Sequence, residues 1–517
     1  MPVRMVEDEN NDSRDNNSGG GNSGGRGGGG WGGMALITLL FTALWKWPKT
    51  TITILILLGI AYFFLGSDSS NANSQSSKNG VNKGCEMKQE VFDQAEVFEP
   101  LTADRNSLPA SVSLLKYAPR RSSQGRQGSC VGWASAYAAR TILQSAATGI
   151  DPNSRVFSPA FLYNQIGLPG CQGSYVVDAM KNMMEVGALP LDEFPYDESS
   201  CDRKPNSTQK NQASQYLMRG YNRLTLDNDD YRIDMTAIKQ NIAQGGPVVI
   251  GMAVGGTFES DEMYGSEYWI PTQEDVMSID EFGGHAMCVI GYDDNKNGGC
   301  FQIMNSWGDQ WGKDGVFWMP YRAFEKFTHE AYGLYPLAVK TEKDKNKLEV
   351  SFGLVENESR EYIPLSQKDE YTFRASNQRV GTTFKIEVKN ATECYTYVIG
   401  EETDLSNYVL FPYTAKHSPY CGITGARLFP KDHSMQLDDK GKLDRMAVIV
   451  SKVALDIQAI NTQINAVQVK GYANKIKAAL SDKLISQPDF GDGNTVRINS
   501  DQAESKCTFM VIEIPKE

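Results

Sequence analysis

The chain has 517 residues, more than one ordinary hydrophobic core accommodates, so two or three folded units with tails are expected. Its 51 Lys and Arg against 63 Asp and Glu leave a net charge of −12 with no basic stripe, which argues against a nucleic-acid binder. Four histidines (His285, His329, His417, His433) leave few candidates for imidazole chemistry, and nine cysteines without a Cys-x-x-Cys pair weaken a zinc-ribbon or dithiol reading. The odd cysteine count suits one working thiol with up to four bridges in an oxidising compartment.

Residues 1–33 are polar and then glycine-dominated from Gly19 to Gly33. Such a segment buries too little apolar area to offset its ordering entropy and reads as a flexible cytoplasmic tail. Two apolar runs fill residues 34–66. Met34–Trp45 is short for a bilayer and reads as an interfacial or re-entrant helix, whereas Thr51–Leu65 with its flanks reaches the minimum for a transmembrane helix. Between them, Trp45-Lys46-Trp47-Pro48-Lys49 combines interfacial aromatics, two positive charges and a helix-starting proline. With Lys46 and Lys49 before the span and Asp68 after it, the positive-inside rule puts the N-terminus in the cytoplasm. Everything past Gly66 is then periplasmic or extracellular. Residues 67–107 read as a linker, Ser/Asn-rich to Asn82 and acidic over Glu86–Asn106.

The composition turns globular at Leu108-Pro109 and stays so to about Val339, giving a domain over 108–340. The stretch Gln124-Gly125-Arg126-Gln127-Gly128-Ser129-Cys130 has the small residues of a tight turn and leads into an alanine-rich buried helix, Cys130 to Gln144. A cysteine on the first turn of a helix feels the positive end of its dipole, which favours thiolate over thiol. Gln124 offers an amide donor to an oxyanion forming beside that sulfur. The same window also suits a core cysteine at a glycine-rich turn. Further helices are expected at Pro159–Gln165, at Val176–Glu185 ended by Gly187, and around Met235–Ile242. Then come the buried strand Pro247–Val254, the strands His285–Tyr292 and Cys300–Ser306 joined by Asp293–Gly299, and a last strand near Gly315–Met319. Helices first and antiparallel strands afterwards make an α+β unit with a cleft between halves.

If the two middle strands form a hairpin, His285 and Asn305 stand side by side. The imidazole then bonds the asparagine amide through one nitrogen and faces Cys130 with the other. Such a thiolate–imidazolium pair attacks acyl carbons without a metal or other cofactor. No metal site is expected. His285 with Cys288 and Cys300 lacks a fourth zinc ligand, and strand alternation turns His285 away from Cys288. The calcium-like opening Asp293–Gly298 has Met304 where the twelfth-position glutamate belongs, so it reads as a hairpin turn.

A charged linker, Thr341–Lys347, precedes a β-rich unit over 348–517. Its expected strands are Tyr371–Arg374, Thr383–Val388, Tyr395–Ile399, Tyr408–Phe411, Ala447–Ser451 and Phe509–Ile514, which suggest a sandwich-like domain. Ile457, Ile460, Ile464 and Val467, then Ile476, Leu480 and Leu484, fall at helical spacing, and Ser486–Glu504 reads as a polar loop.

On these motifs, residues from about Leu108 to Val339 resemble a papain-like cysteine peptidase. The resemblance implies a two-lobed fold, a helical lobe against an antiparallel β lobe. It implies Gln124 as the oxyanion-hole glutamine, Cys130 as nucleophile, His285 as general base and acid, Asn305 as its orienter and Trp307 as the indole shielding that bond. Gly170-Cys171-Gln172-Gly173-Ser174-Tyr175 resembles the family's substrate strand. Gly173 and Ser174 are then expected to pair with substrate backbone, and Tyr175 and Val176 to line the main specificity pocket. Phe194-Pro195-Tyr196 and Gly246-Pro247-Val248 match further recurring segments. Val131 replaces the tryptophan that usually follows the nucleophile, and Gln127 stands where the usual partner of Cys171 belongs. Cys171–Cys201 is therefore expected instead, with Cys394–Cys421 in the last domain, and Cys288 and Cys300 as either a diagonal bridge or core thiols. The roughly 40 residues between the membrane segment and Leu108, 67–107, make a linker or short prosegment and are too few for the family's long inhibitory prosegment. The region around Asp369–Ile460 resembles a bacterial domain of unknown function attached to peptidases and other enzymes, for which a docking role with a protein partner is expected.

The function expected is a membrane-anchored cysteine endopeptidase acting on a peptide or protein substrate. The alternatives are a catalytically idle peptidase-fold scaffold that binds peptides or partner proteins, and an amidase or transpeptidase acting on cell-wall peptides.

Overall fold

The computed structural model describes residues 3–7, 83–92, 95–97, 99, 101–102, 105–225, 232–337, 346–431, 433–485, 489–491 and 494–517. The expected interfacial and transmembrane segment, 34–66, lies outside them. Among the described residues no helix is long and apolar enough to cross a membrane. Residues 83–337 build a helical lobe against a sheet. Residues 348–517, joined by strand β1 (Val3–Glu7), build two stacked sheets.

The helical lobe is organised around one helix that starts at Cys130. It is α-helical over Cys130–Gly132, widens to π over Trp133–Arg140, returns to α over Thr141–Thr148 and stops at Gly149 in the left-handed conformation (φ 69°). Every residue from Cys130 to Leu143 is buried, so this helix has no wet face, and its alanines let neighbours pack close. Those neighbours are the helices Pro159–Ile166, capped by the Ser158 hydroxyl, and Val176–Glu185.

The facing sheet holds β2 (Ser111–Ser113), β3 (Tyr221–Arg223), β4 (Val248–Val254), β5 (Gly283–Asp293), β6 (Cys300–Met304), β7 (Val316–Pro320) and β8 (Thr328–Leu334). Their order is β3-β8-β4-β5-β6-β7 with β2 added to β5, and every pairing is antiparallel. The expected hairpin is β5–β6, closed by the turn at Asp294–Gly299. It delivers the start of β5 and the residue just past β6 to the edge of the sheet that meets Cys130.

The C-terminal unit follows with β9 (Leu348–Glu356), β10 (Tyr362–Ile363), β11 (Leu365–Gln367), β12 (Thr372–Ala375), β13 (Thr383–Asn390), β14 (Cys394–Glu401), β15 (Asn407–Phe411), β16 (Tyr420–Cys421), β17 (Gly425–Phe429), β18 (His433–Leu437), β19 (Leu443–Ser451), β20 (Asp489–Gly491), β21 (Val496–Ser500) and β22 (Cys507–Pro515). One sheet runs β1-β18-β13-β9-β21-β20, with β10 on β9 and β17 on β13. The other runs β11-β12-β22-β19-β14-β15, with β16 on β14. Alternation along β19 sorts its side chains: Met446, Val448 and Val450 face the other sheet. Ala447 and Ile449 instead meet Ile460, Ile464, Ile476 and Leu480 of the helices Ile457–Ala466 and Tyr472–Leu480.

Several expectations need correction. The polar loop at 486–504 contains β20 and β21, the latter burying only Val496 and Ile498 between polar neighbours. The tail contains β1, whose backbone pairs with β18 from Val3↔Leu437 to Glu7↔His433. The acidic stretch expected as a linker or short prosegment forms the helix Gln89–Phe92 and makes backbone hydrogen bonds to both units.

Of the expected bridges, Cys171–Cys201 is formed, with an S–S distance of 2.02 Å. Cys394–Cys421 is not. The two face each other across β14 and β16, but both stand as buried thiols beside the Thr396 hydroxyl. Cys288 and Cys300 are buried core thiols. A Cys201→Ser chain is expected to lose about 3 kcal/mol of stability, because the bridge closes a 30-residue loop in the unfolded state. Urea unfolding of the two chains measures it.

Candidate active site

Four of the sequence-derived positions meet where the helix start touches the sheet. The Gln124–Ser129 loop is pinned from both lobes. Gly125 takes a left-handed turn (φ 59°), and the Arg126 amide donates to the Glu198 carboxylate at 2.9 Å. The Gln124 amide N–H donates to the Ser306 carbonyl at 2.9 Å, and the Ser306 hydroxyl donates to Gln124 Oε1 at 2.7 Å. Gln124 is fully buried, its Nε2 donating to the Gln127 carbonyl at 3.0 Å.

Cys130 is the first residue of its helix, so its sulfur sits at the helix's positive end. Its Sγ accepts from the Ala286 amide at 3.4 Å, one residue beyond His285. The His285 ring, also fully buried, bonds Asn305 Oδ1 through Nε2 at 2.8 Å. Its other nitrogen, Nδ1, has no hydrogen-bond partner among the described residues. Asn305 Oδ1 also accepts from the Ser306 amide at 2.8 Å, which fixes the orientation of the amide group. Trp307 lies over the imidazole with ring centroids 4.7 Å apart.

Two aromatic supports were not read from the sequence as part of the site. Phe258 and Trp311 meet the Trp307 ring edge-on, at 5.5 and 5.3 Å. Trp311 was visible in the motif Trp307-Gly308-Asp309-Gln310-Trp311, whereas nothing local marks Phe258.

The groove between the lobes is filled by the chain itself. Gly84 and Cys85 both donate their amides to the Gly284 carbonyl, at 3.3 and 3.2 Å. On the other wall, Ser174 donates to the Gly84 carbonyl at 2.9 Å and Glu86 donates to the Ser174 carbonyl at 3.1 Å. Gly173 (φ 106°) leaves the backbone of Gly84 room to approach: a β-carbon on Gly173 would lie 2.7 Å from the Gly84 carbonyl oxygen. Tyr175 is half-buried beside this segment and Val176 is fully buried at the start of its helix. Lys83 is held by Glu259 at 2.7 Å and donates to the Val254 carbonyl at 2.8 Å. Past the groove wall, β-sheet register sets Gly251 between Ala286 and Glu330. The missing side chain at Gly251 makes room for the sulfurs of Cys85 and Met87, each 3.2 Å from where a β-carbon would be.

Burial dominates the ionisation of this closed site. It pushes the Cys130 thiol up to about 12, against the opposing pull of the Ala286, Val131 and Cys130 amides. Burial likewise depresses His285 to about 4, with the Asn305 bond opposing and the Lys83 charge adding. Sulfur and ring are therefore both neutral while the groove is filled. Glu330 is pushed up to about 8, again by burial. The depressed imidazole has a consequence for stability. Between about pH 6.5 and pH 4 the unfolded chain binds a proton that the closed chain refuses, so stability falls as pH drops through that window, by about 3 kcal/mol in full. Urea midpoints at its two ends should separate more for the wild-type chain than for His285→Gln.

A thiol at a helix start that accepts from the amide following an asparagine-held histidine, set between a helical lobe and an antiparallel sheet, suits acyl transfer by a cysteine. Residues 117–336 match the family model described as papain family cysteine protease. That part of the chain is similar to papain family cysteine proteases. An uncharacterized peptidase C1-like protein of Acanthamoeba polyphaga mimivirus is 29% identical over 214 residues, covering 38% of this chain and 63% of the relative. A cathepsin B-like protein of Giardia intestinalis is 28% identical over 196 residues, covering 38% and 62%. Mouse cathepsin K is 27% identical over 217 residues, covering 40% and 58%. The chain thus spans less than two thirds of the length of each of these three relatives. The crystal structure of xylellain, a cysteine protease from Xylella fastidiosa, aligns with 50% of this chain and 97% of its own at 23% identity and a TM-score of 0.39.

Proposed function

We propose that the chain is a cysteine endopeptidase in which Cys130 and His285 form the working pair. The observation that carries this reading is the imidazole's asymmetry. Nε2 is committed to Asn305 and Nδ1 has no hydrogen-bond partner among the described residues, while the backbone amide of the next residue, Ala286, donates to the Cys130 sulfur. Once the groove empties and water lifts the desolvation, the proton passes from sulfur to ring. The thiolate then attacks the scissile carbonyl carbon, forming a C–S bond and a tetrahedral oxyanion. The Gln124 amide and the Cys130 backbone N–H hold that oxyanion, each donor being worth about 3 kcal/mol of barrier. His285 gives its proton to the leaving amine, the C–N bond breaks, and a water deprotonated by the same ring releases the acyl group. Asn305 keeps the ring oriented and Trp307 keeps water from that hydrogen bond. Gly173 and Ser174 pair with substrate backbone, as they now pair with Gly84 and Glu86, and Tyr175 and Val176 line the adjoining pocket.

Placement outside the cytoplasm is supported by the Cys171–Cys201 bridge, which needs an oxidising compartment. The apolar run Thr51–Leu65 and the positive charges of Lys46 and Lys49 before it support a single-pass membrane anchor with the N-terminus cytoplasmic and the peptidase domain outside. Fluorogenic peptides and cell-wall fragments, offered to a chain with its groove opened, test the reaction. Peptide hydrolysis that an epoxide inhibitor of papain-type enzymes blocks is expected. Peptide binding without turnover would leave the idle scaffold, and release from cell-wall fragments alone would leave the amidase.

A further inference from the structure

Residues 83–106 engage both units, and most of their anchoring lies away from the groove. The groove end consists of Gly84, Cys85 and Glu86 with four backbone hydrogen bonds to Ser174 and Gly284. Next comes the helix Gln89–Phe92, with Phe92 edge-on to Tyr332 at 5.6 Å and under the Arg223 guanidinium at 4.2 Å. From Val97 onward the partner is the C-terminal domain. The Val97 amide donates to the Lys416 carbonyl at 2.7 Å, and its carbonyl accepts from Ser418 at 2.8 Å. The fully buried Arg427 donates to the Glu99 carbonyl at 3.3 Å. The Thr102 amide donates to the Ala426 carbonyl at 3.0 Å, and its hydroxyl accepts from Leu428 at 2.9 Å. Asn106 brackets Ala426, donating to its carbonyl at 2.7 Å and accepting from its amide at 3.0 Å. Leu101 closes the contact against Ile423 and Tyr335.

We propose that the C-terminal β domain is the clamp that keeps the groove-blocking segment in place, and so restrains the thiol of the peptidase domain in cis. The proposal rests on reading the groove as the substrate site. A stretch as short as Gly84–Glu86 binds weakly by itself. Held from Val97 onward by the segment that precedes β16 and by β17, it is presented to the groove at an effective concentration in the mM range or above. A domain of this kind supplies what a long prosegment would otherwise supply. A cut upstream of Lys83 leaves the groove filled. It opens when the chain is cut between Glu86 and Val97 or when the β domain lets go.

The test uses the full chain and reads the iodoacetamide alkylation rate of Cys130, followed by mass spectrometry of its peptide, with peptide turnover measured in parallel. Gly84→Val is the groove control, because a β-carbon there collides with the Gly128 carbonyl. Asn106→Ala removes two hydrogen bonds to Ala426, and Val97→Pro removes the donor to Lys416. Both clamp variants are expected to speed alkylation, Asn106→Ala by about tenfold and Val97→Pro by at least as much. If Val97→Pro does not fold, Asn106→Ala decides. Wild-type rates in the clamp variants beside a fast Gly84→Val would overturn the clamp, and so would a Gly84→Val chain no faster than wild type. Faster alkylation without peptide turnover keeps the clamp and removes the proposed reaction.

Discussion

Replacing Cys130 by alanine in a chain opened by Gly84→Val is expected to lower kcat/KM for a fluorogenic peptide at least about ten-thousand-fold. The side chain lost is small, and its packing is that of a minor core residue, so the urea midpoint should hardly move. His285→Ala should cost about as much, and the double variant little more than either single one, because nucleophile and base act as one unit. Gln124→Ala should fall short of both, since the Cys130 backbone N–H still serves the oxyanion, leaving a loss of about a hundredfold. If the three variants lost similar small factors, the sulfur would be packing rather than reacting.

Phe258→Ala is expected to be the most costly single change away from the reacting atoms. Phe258 is fully buried and meets Trp269 at 5.0 Å, Trp307 at 5.5 Å, Trp311 at 4.8 Å and Phe317 at 5.4 Å. Removing its ring leaves a cavity among four aromatic side chains, with an expected loss of about 3–5 kcal/mol in stability. The functional effect goes through Trp307, which loses its backing and lets water reach the His285–Asn305 bond. Turnover should therefore fall in the folded fraction while KM stays near that of the opened parent. Phe258→Leu, which refills most of the volume, should recover stability and turnover together. Urea unfolding and steady-state kinetics on the two variants measure both effects.

The candidate site positions were legible because each sits in a short stretch whose local chemistry is self-contained. Gly128-Ser129-Cys130 is a turn running into an apolar helix, and Gly283-Gly284-His285 and Asn305-Ser306-Trp307 bracket one hairpin. The buried strand at 247–254 and the helix Val176–Glu185 were legible for the same reason, one as a continuous apolar run and the other as an amphipathic period closed by Gly187. What could not be read depends on partners far along the chain. Val3–Glu7 is a strand only because β18 offers an edge more than four hundred residues away. The acidic stretch 83–106 carries no periodicity, and its conformation comes from Ser174, Gly284, Lys416 and Ala426. In β17 the fully buried Arg427 breaks the apolar pattern, and its charge is tolerable only because Asn390 and the Glu99 and Ile423 carbonyls meet it. Cys394 and Cys421 face each other across β14 and β16 as expected but stand as free thiols, since strand pairing brings two cysteines together without deciding whether they oxidise.

The proposed reaction requires a proton to move from the sulfur of Cys130 to the ring of His285 once the groove is open. The most direct measurement is the pH dependence of Cys130 alkylation in the Gly84→Val chain, with and without His285→Ala. An ion pair predicts a rate plateau that begins well on the acid side of an ordinary thiol's pKa of about 8.5 and disappears when the imidazole is removed. A single rise near that ordinary value, identical in both chains, would contradict it.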